Sequence, residues 1–228
     1  MNDPIVAALI TVVIMLLVGF PVHEFMHAWA AYRLGDNTAR WQGRLTLDPR
    51  VHFDMFGGII LAFTAVTSAA IGGGFLFGWA KPTPVNPMNI ANGRRGEAVV
   101  AFAGPFSNLV VAAIVALPLR IIWSVDELAT VVFESDVLRL AVDVGLTLLT
   151  LNILLFIFNL IPVPPLDGWK VLSGIVPSNV AYRMRELEVR YANVIPLVFM
   201  GVILFIFLSG RSFLGGIIFG IRDLLVGI

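Results

Sequence analysis

Long apolar stretches separated by short polar loops dominate this chain. A helix that crosses a bilayer needs about 20 mostly apolar residues. Five stretches meet that need: Ile5 to about Leu34, Phe56 to about Trp79, Ala98 to Ile122, Val144 to Ile161, and Val194 to Leu208, the last extended back through Tyr191. A sixth, Phe213 to Ile228, is interrupted by Arg222 and Asp223 and reads as a short span or an interfacial helix. The pattern predicts an all-α polytopic membrane protein with about five to six transmembrane helices. No internal repeat or low-complexity tract breaks it, so residues 1–228 are expected to form a single membrane-embedded domain.

Lysine and arginine placement orients the helices, because cytoplasmic loops carry the excess of both. The loop from Arg33 to Asp54, the loop from Trp79 to Glu97 and the stretch from Pro162 to Arg190 are all basic, and all three are expected in the cytoplasm. The loop from Trp123 to Asp136 carries only acids and is expected outside, with the N-terminus. One segment does not fit a simple span: Phe56 to Trp79 joins two loops that both read as cytoplasmic. It contains Gly57, Gly58, Gly72, Gly73, Gly74 and Gly78, and Pro82, Pro84 and Pro87 follow. The expectation is a re-entrant segment that enters the membrane as a helix and returns as an extended strand through Phe77 to Val85. Non-helical backbone at that depth is tolerated only where protein or a water-filled cavity buries it.

Composition agrees with the bilayer. Hydrophobic residues make up 58% of the chain and charged residues 13%, against roughly 25% charged in a soluble domain. Formal net charge is zero, which removes the electrostatic case for nucleic acid. There is no cysteine, so disulfides and thiolate metal sites are excluded and a metal must take His, Asp or Glu ligands. The apolar run from Ile5 to Val22 lacks a basic n-region and a small-residue cleavage site, so it is read as a retained helix rather than a signal peptide.

The candidate chemistry lies at the inward end of the first helix. His23-Glu24-Phe-Met-His27 is an H-E-x-x-H pattern. Residues four apart share a helix face, so both imidazoles can reach one metal. Glu24 can then act as a general base toward a water beside that metal. Ionisable residues near the end of a membrane helix are costly, and the default reading is functional. Two histidines leave a catalytic zinc one protein ligand short. His52 and Asp167 are the candidates. Asp167 has the better location, at the inward end of the Val144 helix, whereas His52 follows Asp48-Pro49 in a loop and reads as a loop or gating residue. About 18 mostly apolar residues precede each of His23 and Asp167, roughly 27 Å of helix rise, so both reach similar depth on one side. Gly168 is expected to allow the turn that points Asp167 inward. Asn159, in the last apolar turn before Pro162, can donate to a substrate carbonyl or form an interhelical hydrogen bond. Gly104, Pro105 and Asn108 are read as close helix packing.

Three motifs in order make this pattern specific: His23-Glu-Phe-Met-His27, Ala103-Gly104-Pro105-Phe-Ser-Asn108, and Asn159-Leu-Ile-Pro-Val-Pro-Pro-Leu-Asp167-Gly168. Together they resemble the site-2 protease family of intramembrane zinc metalloproteases. Gly43-Arg-Leu-Thr-Leu-Asp-Pro49 and Phe77-Gly-Trp-Ala-Lys-Pro-Thr-Pro-Val-Asn-Pro87 resemble its compact bacterial and archaeal branch, without a PDZ or CBS domain. The resemblance implies one Zn2+ per chain on His23, His27 and Asp167, with Glu24 as general base and Asn159 in the active site. It implies a catalytic core over about 5–171 and accessory C-terminal helices over about 191–228. The partners expected are the lipid bilayer and transmembrane protein or peptide substrates, with an oligomer allowed, and the location is a bacterial or archaeal cell membrane with the active site toward the cytoplasm. The extended stretch Lys81, Pro82, Thr83, Pro84 and Val85 is expected to hold an unwound substrate by strand addition. The alternative is a transporter or channel whose ion site is the His/Glu/Asp cluster. Transporters often carry inverted repeats, and none is visible here.

Overall fold

A computed structural model describes residues 4–70, 76–209 and 215–227. Gly72, Gly73, Gly74 and Phe213, which the expectations above include, lie outside the described residues. All regular structure among the described residues is helical. The chain opens with α1 (Pro4–Ile14), a π turn (Met15–Gly19) and α2 (Phe20–Arg33), which together form one apolar helical stretch of 30 residues. Short helices α3 (Thr38–Trp41) and α4 (Pro49–His52) lead to α5 (Met55–Ala70). Then follow α6 (Arg94–Ser124), α7 (Asp126–Glu134), α8 (Asp136–Asn159), α9 (Asp167–Ile175), α10 (Ser178–Arg190), α11 (Ile195–Ser209) and α12 (Gly215–Val226).

Among the described residues, three helices are long and apolar enough to cross a membrane: Pro4–Arg33, α6 and α8. A fourth is reached if α10 and the first part of α11, bent by 88° to each other, count as one broken span. Helix α5 is apolar but shorter, at 16 residues. The expected extension of the fifth stretch back through Tyr191 is replaced by a turn. Tyr191 caps α10, and a new helix starts at Ile195. The acidic loop after Trp123 contains α7, whose first turn carries Asp126 and Glu127 beside the positive end of the helix. Helix α8 starts at the Ser135 cap, whose side chain accepts from the Leu138 N–H, and ends before the prolines at 162, 164 and 165.

Helix α6 is the centre of the bundle, in contact with α2, α8 and α9. Three apolar clusters hold the bundle together. One joins α1, the π turn, α5 and α8 through Val12, Met15, Leu61 and Leu151. A second joins α6, α8 and α12 through Ala112, Leu149, Ile153 and Ile218. A third sets Ala30 and Ala31 of α2 against Ile90 and Val100.

The segment 76–86 has no helix and runs back beside α5 in reverse order. Phe77 exchanges hydrogen bonds with the Thr64 hydroxyl, which accepts from its N–H and donates to its carbonyl. Gly78 lies against Leu61, and a Cβ there would come within 2.5 Å of the Leu61 Cβ. The Trp79 carbonyl fills the space a Cβ on Gly57 would need. Lys81 N–H donates to the His52 carbonyl at 2.8 Å. Glycine at 57 and 78 is therefore a condition for this close approach of backbone to backbone.

Candidate metal centre

The first site residues depend on the π turn. A π turn carries one more residue than an α turn, so it rotates everything after it by roughly a quarter turn. With it, the face that buries Ala8, Val12 and Met15 continues into His23 and His27. The two rings sit edge to face, with centroids 4.6 Å apart. Their Nε2 atoms are 3.0 Å apart. Asp167, the first residue of α9, places Oδ2 at 3.2 Å from each. These three residues form a group whose ligand atoms all lie within 4.8 Å of one another.

The other side of each ring decides what Nε2 can do. His23 Nδ1 lies 2.7 Å from Asn108 Oδ1. The Asn108 amide nitrogen is committed to Gly19 O and Asn152 Oδ1, so its oxygen faces the ring and the Nδ1–H donates. His27 Nδ1–H donates to the Val100 carbonyl at 2.8 Å. In the neutral Nδ1–H tautomer each imidazole presents an unprotonated Nε2 to the Asp167 carboxylate. Three acceptors aimed at one point repel one another unless a cation sits among them. Gly104 on α6 makes room for the pair: a Cβ there would lie 2.3 Å from His27 Nε2 and 2.9 Å from His23 Cε1. Gly168 serves the same end against backbone. It lies inside α9, and a Cβ would meet the Leu160 carbonyl oxygen at 2.3 Å. Its role is this close approach rather than the turn expected from the sequence.

Glu24, half-buried, faces the returning segment. Its Oε2 accepts from the Thr83 N–H at 2.7 Å, and its backbone carbonyl accepts from the Thr83 hydroxyl at 2.9 Å. A cavity of about 580 Å³ opens beside it, bordered by His23, His27, Asp167, Phe77, Asn159 and Phe199, among others. Asn159 donates to the Leu155 carbonyl one turn back, which leaves its second N–H for the cavity. Of the stretch from Lys81 to Val85, Lys81 N–H and C=O, Pro82 C=O and Thr83 N–H take partners from within the chain. Pro82 and Pro84 have no N–H to offer.

His52 is not in the metal cluster. It is 1% exposed, and its Nε2–H donates to the Thr46 carbonyl at 2.7 Å, bracing the loop before α5. Arg44 in the same loop is also buried and reaches the carbonyls of Val51, Lys81 and Pro82. Burial lowers its pKa from the ordinary value, and the charge of Glu24 opposes that shift. Asp36, fully buried, ties the end of α2 to Asn86, Asn89 and Thr38.

The chain is similar to "Putative zinc metalloprotease YwhC" of Bacillus subtilis (strain 168), 38% identical over 179 residues that cover 77% of this chain and 74% of that protein. This chain belongs to the same family as YwhC. It is also similar to "Putative zinc metalloprotease Rip2" of Mycobacterium tuberculosis (strain ATCC 25618 / H37Rv), 29% identical over 160 residues. Rip2 of Mycolicibacterium smegmatis (strain ATCC 700084 / mc(2)155) is 30% identical over 168 residues. The matched regions cover 69% and 74% of this chain, but only 54% and 58% of the two Rip2 proteins. No family profile matches the chain, and no solved structure matches it.

In this YwhC relative, several partners of the cluster escape a motif reading. Asn108 was expected to serve packing, and it also holds His23 directly. Asn152 continues that chain: its amide oxygen accepts from Asn108, and its nitrogen donates to the Leu148 carbonyl. A fully buried polar residue in the middle of apolar α8 was the available signal. The Val100 carbonyl and the Arg44 clamp left no signal, because backbone acceptors and long-range contacts have no residue type or spacing of their own.

Proposed function

We propose that this chain is an intramembrane zinc metalloprotease of the site-2 protease type, hydrolysing peptide bonds in or near transmembrane segments of membrane-protein substrates. The observation that carries this reading is the convergence of His23 Nε2, His27 Nε2 and Asp167 Oδ2 beside a cavity that Glu24 also borders. Two imidazoles and one carboxylate are the donor set of a catalytic zinc with an open position. The fixed Nδ1–H donors and the space left by Gly104 fit such an ion. The names of the relatives supply the metal, and we assign one zinc per chain. When bound, zinc polarises a scissile carbonyl and acidifies the attacking water.

The residues of the chain do the rest. Asn108 and the Val100 carbonyl hold the two rings in one tautomer and one orientation. Glu24 takes the proton of the attacking water and returns it to the leaving amine. Asn159 offers its second amide N–H to the carbonyl oxygen as charge develops there. Helix α5 and the segment through Phe77 to Val85 act as a re-entrant unit inside one membrane domain, with the site toward the cytoplasm, where Lys and Arg concentrate. A substrate helix must unwind before its carbonyls are available. It pairs with the edge from Gly78 to Val85, where the backbone groups of Gly78, Ala80 and Val85 have no partner among the described residues.

The test is cleavage of model transmembrane substrates by the zinc-loaded protein in liposomes, with cut positions read by mass spectrometry. Cuts within or at the edge of the apolar segment are expected. Cleavage of soluble peptides alone would reject the intramembrane reading, and zinc transport without cleavage would favour a carrier.

A further inference from the structure

The segment that closes over Glu24 has an unusual economy of donors. Between Pro82 and Pro84 the sole amide N–H is that of Thr83, and the following proline confines Thr83 to extended backbone. That single donor goes to Glu24 Oε2, while the Thr83 hydroxyl takes the Glu24 carbonyl. One residue thus holds both ends of another that lies 59 positions away. A segment without a sheet partner does not stay in place unaided. Here Arg44 grips it through the Lys81 and Pro82 carbonyls and anchors it to the Val51 carbonyl, and the Lys81 N–H adds a bond to His52. Arg44 is 4% exposed and has no carboxylate within ion-pair distance among the described residues. A buried guanidinium served only by carbonyls is costly; its Nη1 and Nη2 donate to this loop and this segment, while Nε is buried without a partner.

We propose that the backbone N–H of Thr83 is a positioning donor for the Glu24 carboxylate, and that Arg44 is the clamp that holds it there. The segment then has a second role beside any contact with substrate. It fixes the general base with Oε2 tied and the side chain at the border of the cavity. This inference rests on the reading of Glu24 as the base. A glutamate free to change rotamer would lose the geometry that a proton transfer needs, and small misplacements of reacting groups are expensive.

Two measurements test it. The first is hydrogen exchange of the full chain in detergent, with and without zinc, using peptides that resolve the lone amide between Pro82 and Pro84. The Thr83 amide should be protected, should lose protection in Arg44→Met and in Glu24→Ala, and should regain part of it in Arg44→Lys. The second is cleavage kinetics on equally zinc-loaded protein. Thr83→Val keeps the N–H and loses only the hydroxyl, so it is the reference against which Thr83→Pro is read. Thr83→Pro removes the N–H and should lower kcat by about ten- to a hundred-fold with KM within about twofold. An unprotected Thr83 amide in the wild type overturns the proposal, as does a Thr83→Pro kcat equal to that of Thr83→Val. If Thr83→Pro does not fold, Arg44→Met decides: a deprotected Thr83 amide with unchanged kcat overturns it. Cleavage that survives Glu24→Gln rejects the underlying base assignment instead, so the two failures are distinct.

Discussion

His23 donates from Nδ1 to Asn108 Oδ1 at 2.7 Å, and this bond fixes which nitrogen of His23 faces His27 and Asp167. Removing the acceptor frees the ring to flip or to change tautomer. Asn108→Ala should therefore weaken zinc binding by about ten- to a hundred-fold, measured by competition with a chelator of known affinity. Asn152→Ala, one step further out, should weaken it less. Equal zinc affinity in Asn108→Ala and wild type would remove Asn108 from the centre.

Gly104 is a demand of the same pair. An added Cβ would sit 2.3 Å from His27 Nε2, a distance no van der Waals contact permits. Gly104→Ala should abolish stoichiometric zinc uptake, while Gly201→Ala, where a Cβ meets nothing within 4 Å, should leave it unchanged. Metal analysis of the purified proteins is the measurement.

His52 separates a ligand from a brace. Its ring bonds the Thr46 carbonyl and stays outside the cluster of His23, His27 and Asp167. His52→Ala should keep full zinc content and lower stability by about 1–3 kcal/mol through the lost buried hydrogen bond. Loss of zinc with an unchanged melting temperature would contradict this placement.

Asp36 makes stability depend on pH. Burial raises its pKa, but the hydrogen bonds from Thr38, Asn86 and Asn89 outweigh that, and the net shift is downward from 3.8. A carboxyl with a depressed folded pKa stabilises the fold above its unfolded pKa and loses that contribution as pH falls through the folded value. At pH 7, Asp36→Asn should be less stable than wild type by about 2 kcal/mol. That gap should close as pH falls below about 4. A gap independent of pH in thermal unfolding would contradict the assignment.

The long spans were legible because apolar periodicity and length are local properties. Pro4–Arg33, α6 and α8 overlap the stretches read from the sequence, each with ends shifted by one to several residues. The approach of His23, His27 and Asp167 was legible because the motif order and equal depth both pointed to it. The 88° break before Ile195 and helix α7 were not, since each depends on how short segments pack rather than on hydropathy. The Glu24–Thr83 bond was hidden for a related reason. It is made by a backbone amide that any residue but proline would supply, and only the tertiary path of 76–86 reveals it.

Glu24 is proposed to work as a base beside a zinc held by His23, His27 and Asp167. The most direct measurement is zinc content and cleavage of a transmembrane substrate on the same samples of wild type and Glu24→Gln. The account predicts about one zinc per chain in both and a loss of cleavage of at least a hundred-fold in Glu24→Gln alone. Zinc-free wild-type protein that still cleaves, or a Glu24→Gln protein that cleaves as fast as wild type, would contradict it.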